Sequence, residues 1–148
     1  MSNLIIRPIA AADRAGWEPL YRGYGDFYKV DMGPETLETV WGWLHDPDHV
    51  VEGLVAELDG ELVGLAHFRA MPSPLRGAVI GFLDDLFVGP AARGAKVGEK
   101  LLARLNEISA ERGWNKIRWI TGDDNYRART LYDQVSVKTL WNTYEMVP

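Results

Sequence analysis

Between Phe82 and Leu102 the chain reads Phe-Leu-Asp-Asp-Leu-Phe-Val-Gly-Pro-Ala-Ala-Arg-Gly-Ala-Lys-Val-Gly-Glu-Lys-Leu-Leu. An apolar strand carrying two carboxylates, Asp84 and Asp85, enters a helix through a turn of small residues. The first backbone N–H groups of a helix lack intrahelical partners and carry a partial positive charge, so a turn built from Gly and Ala lets a phosphate approach them closely. Carboxylates a few residues upstream can take a proton from whatever the phosphate delivers. One segment thus offers both a phosphate cradle and a base.

The rest of the chain supplies elements to position that segment. Residues 4–9 read as a strand, and 13–28 as a helix with Trp17, Leu20, Tyr21 and Tyr24 on one face. A second helix over 34–44 opens on Pro34 and is stopped by Asp46-Pro47-Asp48. Strands 50–58 and 61–69 flank Asp59-Gly60, the signature of a tight antiparallel hairpin. A proline-containing loop over 71–77 leads to strand 78–88, helix 97–112 capped by Gly113, strand 116–121, helix 125–135 and a closing strand over 139–147. Strand, helix and strand across 79–121 make a right-handed crossover between parallel neighbours, so the sheet is mixed.

Composition sets the outer bounds. The 148 residues suit a single domain spanning 1–148, and a net charge of −5 disfavours nucleic-acid binding. With no cysteine, disulfides, thiolate nucleophiles and Cys-ligated zinc are excluded. No metal is expected, because His45, His49 and His67 lack the carboxylate-supported helical pairing of metal sites. His67 is open between a pocket-lining role and a satisfied core position. No apolar stretch reaches the roughly 20 residues of a membrane span and no leader is apparent, so a cytoplasmic protein without a membrane partner is expected.

Element order, Arg93 to Gly98 set against a cofactor pattern R/Q-x-x-G-x-G/A, and Asn125-Tyr-Arg-Ala-Arg-Thr-Leu-Tyr132 set against N-x-x-A-x-x-L-Y resemble the GNAT superfamily of N-acetyltransferases. Phe82 to Val88 and the aromatic first helix are similar to its diamine and polyamine acetyltransferases. The resemblance covers nearly the whole chain. It implies an α/β fold with a twisted mixed sheet of six or seven strands, splayed between strands 4 and 5 and flanked by four helices, with acetyl-CoA held in the splay. The sequence departs from the family at Lys96, where a glycine is usual, and at Ser136-Val137, which replace Gly-Phe. The backbone N–H at 96 can still donate to phosphate if that residue stays helical.

The resemblance assigns acetyl transfer to a primary amine by direct attack in a ternary complex, the acceptor being a polyamine, diamine or amino-acid-like molecule. A protein lysine or N-terminus, or a non-catalytic acyl-CoA-binding module, is the alternative. The amine must be neutral to attack, and Asp84 is the candidate base. Strand alternation sets Asp84 with Phe82 and Leu86, and Asp85 with Leu83 and Phe87, so only one of the two aspartates faces a given pocket. Tyr132 is implied as the acid that protonates the departing thiolate. Arg93, Gly94, Ala95, Lys96, Val97 and Gly98 would surround the pyrophosphate, while Leu86, Phe87 and Val88 pair with the pantetheine arm. Asn125 would bind that arm or cap its helix. Tyr24 and Tyr28, with Asp26 and Asp31, would bound the amine pocket, and Asp85 would bind substrate. Trp141 and Tyr144 on the closing strand suggest a homodimer.

Overall fold

The computed structural model describes residues 3–92 and 94–148. Its sheet has five strands in the order β1-β2-β3-β4-β5: β1 (Leu4–Pro8), β2 (Val51–Leu58), β3 (Glu61–Ser73), β4 (Ala78–Val88) and β5 (Ile117–Arg118). Four helices complete the mixed α/β fold: α1 (Arg14–Phe27), α2 (Pro34–His45), α3 (Val97–Arg112) and α4 (Tyr126–Val135). Strands β1 to β4 form an antiparallel meander, and β4 pairs with β5 in parallel, as the intervening helix requires.

Asp59 and Gly60 both adopt positive φ, 51° and 88°, the geometry of the tight β2–β3 hairpin expected from the sequence. Strand β3 runs four residues past the expected end at Arg69, through Pro72, and the expected 71–77 loop shrinks to a turn. Proline fits there because β2 ends opposite Arg69, so beyond that residue β3 has only β4 as a partner.

Apolar side chains bury both faces of the sheet. On one face α3 seats Val97, Leu101, Leu105 and Ile108 against Leu54, Phe68 and Leu83. On the other, Trp17 and Tyr21 of α1 and Leu37 and Val40 of α2 close over Leu65. Helix α1 lies close to β4 because Gly23 carries no side chain; a Cβ there would come within 3.1 Å of the Phe87 ring.

Two expectations are corrected at the far edge. Strand β5 comprises two residues rather than 116–121, and no strand forms over 139–147, so the sheet has five strands instead of six or seven. Parallel pairing of β4 with β5 is confined to Gly81 and Phe82. From Leu83 to Val88 no described strand runs along that edge of β4, which is the splay between strands 4 and 5. With so short a β5, the closing segment has no ladder to join, and Leu140, Tyr144 and Met146 lie exposed.

Candidate active site

The centre of the site is a break in strand alternation. In the β3–β4 register His67 faces Asp85 and Phe68 faces Leu83, leaving Asp84 as an extra, unpaired residue. Such a bulge re-aims the side chains that follow it. Leu83 points into the α3 cluster, but Asp85 turns to the α1 face, where it meets His67 and Tyr21. Asp84 reaches Arg69, which lies two residues beyond His67 on the same face of β3. The expectation that only one aspartate can face a given pocket is therefore overturned: the bulge delivers both carboxylates to the α1 face. A bulge leaves no signature in residue spacing, so alternation alone could not reveal it.

Asp85 sits at the end of a buried chain of hydrogen bonds. Trp17 Nε1–H donates to His67 Nε2 at 3.0 Å, and His67 Nδ1 lies 2.7 Å from Asp85 Oδ2, which also accepts from the Tyr21 hydroxyl at 2.8 Å. An indole N–H can only donate, so Nε2 must accept and Nδ1 carries the proton given to Asp85. His67 is 2% exposed, with both ring nitrogens engaged. Burial pushes the Asp85 carboxyl up, but the hydrogen bonds it accepts from His67, Tyr21 and Tyr24 outweigh it and hold the group below the ordinary aspartate range. The same burial beside a carboxylate drives the Tyr21 phenol well up, so it remains a donor.

Asp84 has the opposite environment. Burial raises its carboxyl, and the lowering exerted by Arg69 does not cancel that effect. Arg69 Nε lies 3.2 and 3.0 Å from the two Asp84 oxygens, and its guanidinium carbon stacks 4.8 Å from the Phe82 ring centre. Two neighbouring carboxyls are thus driven apart, one held ionised and one made more basic, the pattern that separates an anchor from a proton acceptor.

Aromatic side chains wall the site. The Tyr24 hydroxyl donates to the Asp84 backbone carbonyl at 3.3 Å, and the Tyr24 ring packs 5.0 Å from Tyr28 and 6.3 Å from Phe87. Tyr132 on α4 stacks edge-on with Trp119 at 5.3 Å, and burial, with Tyr28 adding to it, pushes its phenol up to about 12. Trp17, Tyr21 and Arg69 complete the site without having been assigned to it from sequence, their only signal being an aromatic stripe on α1 and a polar residue in an otherwise apolar β3; His67, left open between pocket and core, is buried with both ring nitrogens satisfied and supports Asp85 from there.

The turn beyond β4 departs from expectation at one residue. Lys96 is left-handed, with φ 58° and ψ 33°, so the helical conformation supposed for it does not occur. A lysine occupies a conformation that glycine adopts without cost. Gly94 has φ 90° and open space where a side chain would begin. A Cβ on Gly98 would meet Leu131 at 3.4 Å and Val88 at 3.8 Å, ordinary contacts, so packing does not demand glycine there. Arg93 lies outside the described residues. Leu86 and Val88 pack under α3 while Phe87 faces α1, and their backbone borders the splay. Asn125 caps α4, its side chain accepting from Ala128 N at 3.4 Å and donating to Thr121.

The acid pair, the open β4 edge and the small-residue helix start follow one another along the chain from Asp84 to Gly98, an order that suits a thioester carried on a pyrophosphate-bearing arm. A cavity of about 720 Å³ lies between β5, α4 and the closing segment, with Trp119 and Tyr132 in its wall and no described residue of 82–98 lining it. Among the described residues no helix is long and apolar enough to cross a membrane.

The model of the acetyltransferase (GNAT) family matches residues 17–136. The D-amino-acid N-acetyltransferase HPA3 of Saccharomyces cerevisiae is 29% identical over 139 residues, covering 93% of this chain and 86% of that protein. The N-acetyltransferase YhfO of Bacillus subtilis is 30% identical over 130 residues, covering 87% and 86%. Among solved structures, the ribosomal-protein-alanine N-acetyltransferase from Brucella melitensis biovar Abortus 2308 superposes with a TM-score of 0.82 at 25% identity, covering 98% of this chain and 99% of that one.

Proposed function

Because the chain belongs to the GNAT acetyltransferase family and is an N-acetyltransferase, we propose that its single domain moves the acetyl group of acetyl-CoA to the primary amine of a small molecule by direct attack. The observation that carries this reading is the carboxyl pair on the α1 face, Asp85 held ionised and Asp84 made more basic. The substrate class of the yeast relative, D-amino acids, supports a small acceptor.

In this reading Asp85 holds the incoming ammonium, with Tyr24 and Tyr28 walling the pocket. Asp84 takes one proton, directly or through a water, leaving a lone pair on nitrogen. Attack on the thioester carbonyl forms the C–N bond; as the C–S bond breaks, Tyr132, a phenol at neutral pH, gives its proton to the departing thiolate, and the surplus proton on the acylated nitrogen restores the phenol. Backbone N–H groups at Gly94, Val97 and Gly98, with the side chains of Arg93 and Lys96, would hold the pyrophosphate, the Ala95 N–H being already given to the Ala92 carbonyl at 3.2 Å, and the backbone of Leu86, Phe87 and Val88 would pair with the pantetheine arm. Asn125 serves the site by capping α4, which carries Tyr132.

A protein N-terminus is the second reading, favoured by the likeness to the ribosomal-protein-alanine enzyme. One assay separates the two: acetyl-CoA with a panel of small amines and unstructured peptides, followed by release of free thiol. Turnover on small amines supports the proposal; turnover on peptides alone supports the second reading. Binding of coenzyme A with no turnover on any acceptor removes both. A homodimer is proposed as well, on the exposed apolar side chains of the closing segment.

A further inference from the structure

We propose that Arg69 makes this enzyme selective for α-amino acids by binding the carboxylate of the acceptor, an inference that rests on the amine-acetylation reading and names its substrate class. Arg69 spends only Nε on Asp84. Its two terminal nitrogens, with four N–H donors, have no acceptor among the described residues, and the side chain is 33% exposed. The guanidinium is already oriented, tied along one edge by Asp84 and backed by the Phe82 ring at 4.8 Å. What remains is a preorganised fork, the geometry that takes a carboxylate through two parallel hydrogen bonds.

The complementary half is Asp85. Oδ2 accepts from both His67 and Tyr21, and the Tyr24 hydroxyl, 3.3 Å from the Asp84 carbonyl, also approaches this carboxylate; with about four lone-pair sites the carboxylate retains capacity to accept from an incoming ammonium. Asp85 faces His67 across the ladder and Phe82 faces Arg69, so the backbone positions that carry the anionic and cationic groups are one step of two residues apart along β3, roughly 7 Å. In an α-amino acid the nitrogen and the carboxylate carbon are about 2.5 Å apart, and a hydrogen bond of about 2.8 Å at each end spans a similar distance.

Charge points the same way. A zwitterion presents ammonium to Asp85 and carboxylate to Arg69. A diamine or polyamine would set its second ammonium against the guanidinium, where like charges repel. Arg69 acts here on binding of the acceptor, while proton removal stays with Asp84.

The experiment pairs alanine, phenylalanine and lysine, in D and L forms, with their carboxamides, alongside putrescine and spermidine, and reads thiol release from acetyl-CoA. The carboxamide amine is the less basic of each pair and so more often neutral, which means a preference for the acid reports recognition of the carboxylate. We expect at least one acid to exceed its carboxamide and both polyamines by about tenfold or more in kcat/KM. In Arg69→Gln the ratio of kcat/KM for that acid to kcat/KM for its carboxamide should fall about 10- to 100-fold, chiefly through KM of the acid, on top of any loss the two share because Asp84 has lost its partner, and Arg69→Lys should recover part of the ratio. Equal or better use of the carboxamides or polyamines by the native enzyme overturns the proposal, as does a parallel loss on acid and carboxamide in Arg69→Gln. If Arg69→Gln does not fold, the native comparison decides alone. Absence of turnover on every amine in the panel defeats the amine-acetylation reading itself, a different outcome from turnover without carboxylate preference.

Discussion

Asp84 and Asp85 are neighbours in sequence with opposite electrostatic fates, and both activity and stability should show it. The Asp84 carboxyl is raised, so the acid limb of kcat/KM against pH should fall above the ordinary aspartate value of about 3.9. Asp84→Asn should lower turnover at neutral pH by about 10²- to 10⁴-fold and by less at high pH, where more of the amine is already neutral. An unchanged rate profile would rule out the base role. Tyr132→Phe should lower kcat with little change in KM for the amine, measured in the same assay; full turnover would remove the acid role. On stability the signs oppose. The depressed folded value of Asp85 contributes stability that is present above about pH 3.9 and lost as pH falls through that lower value. The raised value of Asp84 favours the fold below about pH 3.9, and that contribution is lost as pH rises through the folded value. Urea denaturation at pH 7 should therefore find Asp85→Asn destabilised by about 2–4 kcal/mol, with His67 left facing an imperfect partner. Asp84→Asn should be close to wild type in stability while losing activity, the trade-off expected where a buried charge is kept for chemistry.

The start of α3 gives a test at the level of the element. Lys96 is held left-handed with no side-chain cap, a conformation that costs a non-glycine residue about 1 kcal/mol. Lys96→Gly should raise the thermal midpoint, the gain reduced by glycine's greater freedom in the unfolded chain. Gly98 behaves differently. The structure has room for a Cβ, so Gly98→Ala should keep or slightly raise stability. If the turn serves close approach of a pyrophosphate, the same substitution should weaken coenzyme A binding, as read by calorimetric titration. Retained affinity in Gly98→Ala would return this glycine to a packing role. The bulge at Asp84 acts at this scale too, since one extra residue in β4 changes which helix the rest of the strand addresses.

Across the whole molecule, the closing segment is the feature an isolated chain leaves unexplained. Leu140 is 98% exposed and Tyr144 90%, an apolar display that water does not favour. On the homodimer reading, sedimentation velocity should find the full chain as a dimer and a chain ending at Ser136 as a monomer; the same state for both would refute the segment's role. The elements themselves were legible from residues. Heptad-like apolar spacing marked α1 and α3, Asp59-Gly60 marked the hairpin, Gly113 marked a helix end with φ 75°, and the strand–helix–strand order marked the parallel crossover. These signals are local, encoded within a few residues by backbone preference and side-chain period. The same local rules misread β5 and the closing strand, because a strand needs a partner and the divergence of β4 withholds one. They also set the two aspartates on opposite faces, because alternation assumes an unbroken ladder. Sequence alone determined the family, the order of elements and the two carboxylates; only the tertiary structure decided that a bulge would turn both toward α1, that Trp17 and His67 would hold one ionised, and that Arg69 would stand beside them. Such contacts join residues up to about 64 positions apart, as between Tyr21 and Asp85, and their geometry follows from register and packing that no local pattern records.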